Sequence, residues 1–171
     1  MADEIAGKTV KESQAELSEL ALPNDANGLN TLLGGKIMHL VDIAGAIAAS
    51  RHARQFAVTA SFDHMDFREP VRIGNLVTLR ASVNRAFRTS MEVGVKVFAE
   101  NLQTAETRHV ASAYLTFVAV DRGRTPIPVP PIIPETDEER RRFEEAGERR
   151  TYRLAARAKH GLSGSDRPRA E

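Results

Sequence analysis

An α+β domain, with a curved antiparallel sheet wrapped around one long central helix, is the architecture that three features of this sequence predict. A helical apolar stripe runs through Gly34–Ser50, four long β-patterned stretches lie between Phe56 and Val120, and a proline run then follows. The chain has 171 residues, enough for one domain with a real core, and is 42% hydrophobic and 27% charged. No stretch approaches the roughly 18 uninterrupted apolar residues of a membrane span. Met1–Val10 carries early acids and no apolar run, so no secretory signal is expected. With no cysteine there is no disulfide framework, thiolate metal site or cysteine nucleophile, and a cytoplasmic location is the expectation. A net charge of +1 gives no electrostatic footprint for nucleic acid.

Taken in order, residues 1–9 read as a flexible N-terminus and 10–125 as the folded domain. Glu12–Leu22 is ambiguous, because Ala15, Leu17, Leu20 and Ala21 fit a helix almost as well as a strand. Pro23–Leu33 is polar and turn-forming. In the helix, Ile37, Leu40, Val41, Ala44, Ile47 and Ala48 fall on one face. Phe56–Phe67, Leu76–Phe87, Ser90–Leu102 and Thr107–Val120 read as strands separated by turn signals. Val93, Val95 and Val97 alternate with Glu92, Gly94 and Lys96, the period of a sheet with one face packed and one solvated. Long edge strands then need cover, which pairing of two copies supplies.

Residues 126–134 form a stiff proline-rich strap that neither a helix nor a central strand accepts. Beyond it the composition changes. Glu135–Glu171 holds 10 basic and 9 acidic residues, read as a charged helix over 135–160 and a disordered tail over 161–171. Arg140-Arg141-Arg142 alternates with Glu138, Glu139, Glu144 and Glu145, as on a solvated, salt-bridged helix face.

Candidate chemistry gathers at the start of the long helix. Gly34-Gly35 lets another group approach the backbone, and first-turn N–H groups there point outward unsatisfied, a ready seat for a developing oxyanion. Asp42, the one formal charge between Lys36 and Arg51, sits among Gly45, Ala46 and Ala49, where a partly desolvated carboxylate can act as a base. From the residues alone the simpler readings are favoured: steric economy for the glycines, and pairing with a neighbouring arginine or a cap for the acid. His39, His52, His64, His109 and His160 show no metal-ligand spacing with acids, so no metal is expected.

Asn27–Asp42 together with DHMDFREPVRIGN (Asp63–Asn75), RTSMEV (Arg88–Val93) and YLTFVAVD (Tyr114–Asp121) resembles the hot-dog fold acyl-CoA thioesterases of the bacterial broad-specificity and brain cytosolic type. The likeness covers roughly residues 10–155, since VPPIIPETDEERRRFEEA resembles the strap and charged terminal helix of that group. It implies that Glu12–Leu22 is the first strand. It implies that Asp42 is the catalytic base or nucleophile, that Asn27 places the thioester or water, and that these two face each other across a dimer interface. Gly34 and Gly35 match the diglycine that polarises the thioester carbonyl. Arg88, Thr89 and Ser90 match the loop contacting the CoA nucleotide, and Thr59 is a candidate for lining the pantetheine channel. Asn30 and Phe87 stand where the family usually has glycine, and Leu33 where it often has histidine or phenylalanine.

The implied activity is hydrolysis of acyl-CoA to a fatty or other carboxylic acid and CoA, with no cofactor, since CoA belongs to substrate and product. A thiol leaves as thiolate without strong acid assistance, so one base and one carbonyl polariser suffice. Attack by water activated by Asp42 and direct attack by Asp42 through an anhydride are both open. A hydratase of this fold normally needs a histidine before the helix, and Asn24–Leu33 has none. A non-catalytic acyl-CoA sensor is the other reading. The resemblance further implies a homodimer as the active unit, assembled as a trimer of dimers, in fatty acid metabolism.

Overall fold

In a computed structural model that describes residues 5–159, the long helix α1 spans Gly34–Ala53 and buries Ile37, Leu40, Val41, Ala44, Ala48 and Ala49. The expected stripe holds except at Ile47, which is half-buried. The helix ends where Arg54 adopts a left-handed conformation, φ 53°, and donates its N–H to Ser50 O at 2.8 Å. At Gly45 the helix packs tightly on the sheet, since a Cβ there would stand 2.9 Å from the Phe117 ring.

Seven strands accompany it: β1 (Lys8–Thr9), β2 (Ala15–Leu20), β3 (Phe56–Phe67), β4 (Leu76–Ala86), β5 (Ser90–Glu100), β6 (Thr107–Val120) and β7 (Ile132–Ile133). The main sheet is antiparallel throughout, in the order β2-β4-β5-β6-β3, while β1 and β7 form a separate parallel pair. Two expectations are corrected. The flexible N-terminus does not extend to residue 9, because Lys8–Thr9 pairs with Ile132–Ile133. Glu12–Leu22 is extended only over Ala15–Leu20, because Val10–Ser13 winds into a 3-10 turn held by the Thr9 N–H donating to Glu12 Oε2 at 2.8 Å.

The inner face of the sheet presents Leu79, Val83, Val93, Val97, Leu115 and Phe117, all fully buried against α1. The outer face is not solvated as expected. The second helix, α2 (Asp137–Lys159), lies across it, started by Thr136 and Glu139 exchanging side-chain and backbone hydrogen bonds. Glu92, read from its alternation as solvent-facing, is 1% exposed. Its carboxylate accepts Arg149 Nε at 3.0 Å and Arg149 Nη2 at 2.7 Å, and Asn84 Nδ2 at 3.1 Å. The same guanidinium lies 3.8 Å from the Tyr114 ring centre. Arg85 stacks 4.1 Å over Phe143 and donates to its carbonyl at 3.1 Å. The ion pairs Arg140–Asp137, Arg141–Glu145 and Arg142–Glu138 run along α2 as the alternation predicted, but Arg142 is partly buried and Glu138 also meets Lys96 of β5, so they are not confined to a solvated face. The strap is fastened along its length: Val129 N–H donates to Arg88 O, Lys8 N–H to Pro131 O, and buried His52 Nε2 meets Pro130 O at 2.7 Å. The expected disordered tail, 161–171, lies outside the described residues.

Candidate active site

α1 begins after Leu33 with no side-chain cap, and the first N–H groups to turn inward are those of Lys36 and Ile37, both returning to Leu33 O. The Gly34 and Gly35 amides have no acceptor among the described residues. Apart from its chain neighbours and its own helix backbone, nothing among the described residues lies within 4 Å of where a Gly35 Cβ would stand, so crowding among them does not require glycine there. Lys36, next along, bonds Glu19 at 2.6 Å and lies 3.4 Å from Asp25, which ties the polar loop to β2; the Glu19 hydrogen bond pushes its ammonium pKa up.

Asp42 lies seven residues beyond Gly35, about 10 Å along the helix axis, and is half-buried. It has no arginine partner among the described residues. Instead Thr59, on β3, donates its hydroxyl to Asp42 Oδ1 at 2.6 Å, leaving Oδ2 without a partner among them. Within the described residues of one chain this acid is not paired with a cation, and Thr59, singled out only as a channel lining, is the residue that bonds it.

Asn27 folds its own loop. Its Oδ1 accepts the N–H groups of Leu29 at 2.9 Å and Thr31 at 3.1 Å, and its Nδ2 donates to Thr31 Oγ1 at 2.9 Å. Asn30 has φ 57°, the left-handed region glycine favours and asparagine tolerates best among the rest, so the departure from glycine there keeps the loop shape. Asn27 and Gly34 share a cavity of about 330 Å³ with Thr31, Ile37 and Phe67. Asp42 does not line it.

Within one chain the residues therefore form two groups. Asn27, Gly34 and Gly35 gather near the Phe67 end of β3, and Asp42 with Thr59 near its Phe56 end. Arg88 and Thr89 lie in the β4–β5 connection and Ser90 opens β5; they belong to the second end, since Ser90 pairs with Val118 and Val118 with Val58. That places Ser90 two strand spacings, about 10 Å, from β3. Phe87 needs no glycine conformation: its N–H donates to Ser90 O at 2.8 Å, and its ring carries Arg150 at 4.2 Å. Arg150 also donates to Ser90 Oγ at 3.2 Å.

Sequence reasoning passed over Asp63 and Arg153. Asp63 accepts Ser61 Oγ, Thr116 Oγ1 and Arg153 Nη1, each at 2.6 Å. No local spacing links residues 90 positions apart, so nothing in the pattern could have paired them. His39 is exposed, and His160 lies outside the described residues. No group of three or more metal-ligating side chains occurs among the described residues. No described helix is long and apolar enough to cross a membrane.

Comparison with known proteins places this geometry in context. Residues 29–106 match the model of the thioesterase superfamily. A Bacillus subtilis protein named as an uncharacterized acyl-CoA thioester hydrolase is 40% identical over 162 residues, covering 92% of this chain and 94% of its own. The Staphylococcus aureus acyl-CoA hydrolase, solved with butyryl-CoA, CoA and CoA disulfide, superposes with a TM-score of 0.84 at 34% identity, covering 91% of this chain and 94% of that one. An apo hexameric acyl-CoA thioesterase superposes with a TM-score of 0.87 at 39% identity, covering 90% and 99%. The hot-dog architecture is common to them and to this chain.

Proposed function

The chain belongs to the thioesterase superfamily, and on that premise we propose that it hydrolyses an acyl-CoA to the free carboxylic acid and CoA in a site shared by two copies. The observation that carries this reading is the Thr59–Asp42 hydrogen bond: a half-buried carboxylate with one oxygen held and, among the described residues, the other open and no cation paired with it. The named activities of the B. subtilis and S. aureus relatives supply the substrate class.

The two groups of residues are complementary halves. β3 is an edge strand with its outer hydrogen-bonding edge unpaired in the chain, and Phe56, Val58 and Phe67 along it are about half exposed. Two copies joined antiparallel along β3 bring the Phe67 end of one beside the Phe56 end of the other. Asn27 and the Gly34-Gly35 amides of one copy then face Asp42 and Thr59 of its partner. The hexameric state of a relative supports self-association, and a trimer of such dimers is the proposed full assembly.

In this site Asp42 Oδ2 takes a proton from water as the water oxygen attacks the thioester carbon. The Gly35 N–H, at the positive end of α1, stabilises the oxyanion, and Asn27 orients the thioester or the water. Collapse of the tetrahedral intermediate breaks the C–S bond and expels the CoA thiolate, which needs no strong acid. Direct attack by Asp42 gives the same products through a mixed anhydride; oxygen-18 from solvent entering Asp42 in a single turnover distinguishes that route. Arg88, Thr89 and Ser90 bind the nucleotide end.

The test is thiol release from acetyl- to palmitoyl-CoA and an aryl-CoA by the wild type and by Asp42→Ala. The variant should assemble normally and lose on the order of 100-fold or more in kcat. Acyl-CoA bound by the wild type with no thiol released from any member would instead establish a sensor.

A further inference from the structure

We propose that Arg153 is a positioning residue for the Asp42 site: through Asp63 it fixes the broken edge strand β3, so that Thr59 stays aimed at Asp42. This rests on the reading of Asp42 and Thr59 as the reacting group and its partner.

In a regular strand, residues four apart point to the same face. Thr59 and Asp63 do not. Thr59 faces inward and bonds Asp42 on α1, while Asp63 faces outward and bonds Arg153 on α2. The change of side is made by breaks in the β3–β6 register, one between Thr59 and Ser61 and one between Phe62 and His64. Among the described residues of one chain β3 is laddered to β6 alone, and that ladder is interrupted twice close to Thr59, so β3 needs a further restraint there whether or not a second copy pairs with its outer edge.

Asp63 supplies the missing restraint. Its side chain is 8% exposed, and its three partners converge from three elements: Ser61 of β3, Thr116 of β6 and Arg153 of α2. Arg153 contributes the one charged bond of the three, from a side chain 15% exposed, and a guanidinium in that setting is the stronger restraint. Four residues earlier on α2, Arg149 holds Glu92 of β5, a strand that does not carry Thr59. The two arginines thus fasten α2 to different strands, and substitution can separate the restraint of β3 from that of β5.

The experiment measures kcat and KM on assembled full-length protein for Arg153→Gln, Arg149→Gln, Thr59→Ala and the Thr59→Ala/Arg153→Gln pair. Arg153→Gln should lower kcat about 10-fold with KM within about twofold, as a misplaced reacting group does. In the Thr59→Ala background the same change should cost nothing further, because the bond it aims is already gone. Arg149→Gln should lower Tm with kcat unchanged. Arg153→Lys, which keeps the charge, should recover part of the loss. If Arg153→Gln does not assemble, the near-isosteric Asp63→Asn is held to the same two outcomes. Wild-type kcat in the folded variant, or losses that multiply fully with Thr59→Ala, overturn the proposal while Asp42→Ala remains inactive. Retained activity in Asp42→Ala overturns the underlying reading of the site.

Discussion

On its inner face the sheet meets α1 through Leu79, Val93, Val97, Leu115 and Phe117, and Asp42 is the one acid on that helix; on its outer face it meets α2 through Glu92, Asp63, Arg149 and Arg153. The first contact is held by apolar burial, which is non-directional and leaves a lone carboxylate free for chemistry. The second is held by charge-assisted hydrogen bonds whose geometry fixes α2 in one position. Stability in the outer layer therefore depends on individual partners, whereas in the inner layer it is spread over many side chains.

Single substitutions sharpen that contrast. Arg149→Gln leaves Glu92 buried without its counter-charge, and unfolding in urea should show a loss of about 3–5 kcal/mol. Replacing both partners with apolar residues of similar size should recover most of that loss; an equal loss in the double variant would mean that the pair contributes more than mutual neutralisation. On the inner face, Gly45→Ala forces a methyl against the Phe117 ring. Overpacking of about 1–3 kcal/mol, partly offset by about 1 kcal/mol of helix propensity, predicts a smaller net loss. A stabilised Gly45→Ala protein would show that the inner layer yields where it is taken to be packed tight.

The smallest effect is a slope rather than an offset. His52 donates Nε2–H to Pro130 O, since a carbonyl can only accept, which leaves Nδ1 buried without a partner. Burial, with the nearby Lys8 charge adding, holds its pKa below the ordinary histidine range despite the Pro130 bond and Glu12. Below pH of about 6.5 the unfolded chain takes up a proton that the folded chain refuses, so stability present above that pH is lost as pH falls. Wild type should lose up to about 1.4 kcal/mol per pH unit more than His52→Gln over that window, read from urea midpoints between pH 7 and 5. Parallel pH profiles for the two proteins would show that His52 does not titrate with unfolding.

The inner layer was legible in the sequence because apolar residues recur with the period of the element they build: 3.6 along Ile37–Ala49 and two along Val93–Val97. The outer layer was not, because Glu92 alternates with valines whether water or an arginine lies above it. A helix in which 14 of 23 residues are charged likewise reads as solvated until its partners are known. In the site, Asp42, Gly34 and Gly35 stood out by type and context. The Thr59–Asp42 bond crosses from α1 to β3, and the Asp63–Arg153 bond from β3 to α2, distances in sequence at which spacing carries no information. Resemblance to the thioesterases supplied Thr59 only as a channel lining. Asn30 shows the reverse case, where a departure from the family pattern is explained by a single backbone angle.

The pairing of β1 with β7 also bears on how the protein is made. Lys8–Thr9 and Ile132–Ile133 lie at opposite ends of the domain in sequence, so closing them removes the entropy of a loop on the order of 120 residues. During synthesis β1 emerges first and has nothing to pair with until the strap follows the whole sheet out of the ribosome. β1 is thus a latch that can close only once the strap is available, and a chain stalled before the strap would carry Asp42 on an unlatched domain.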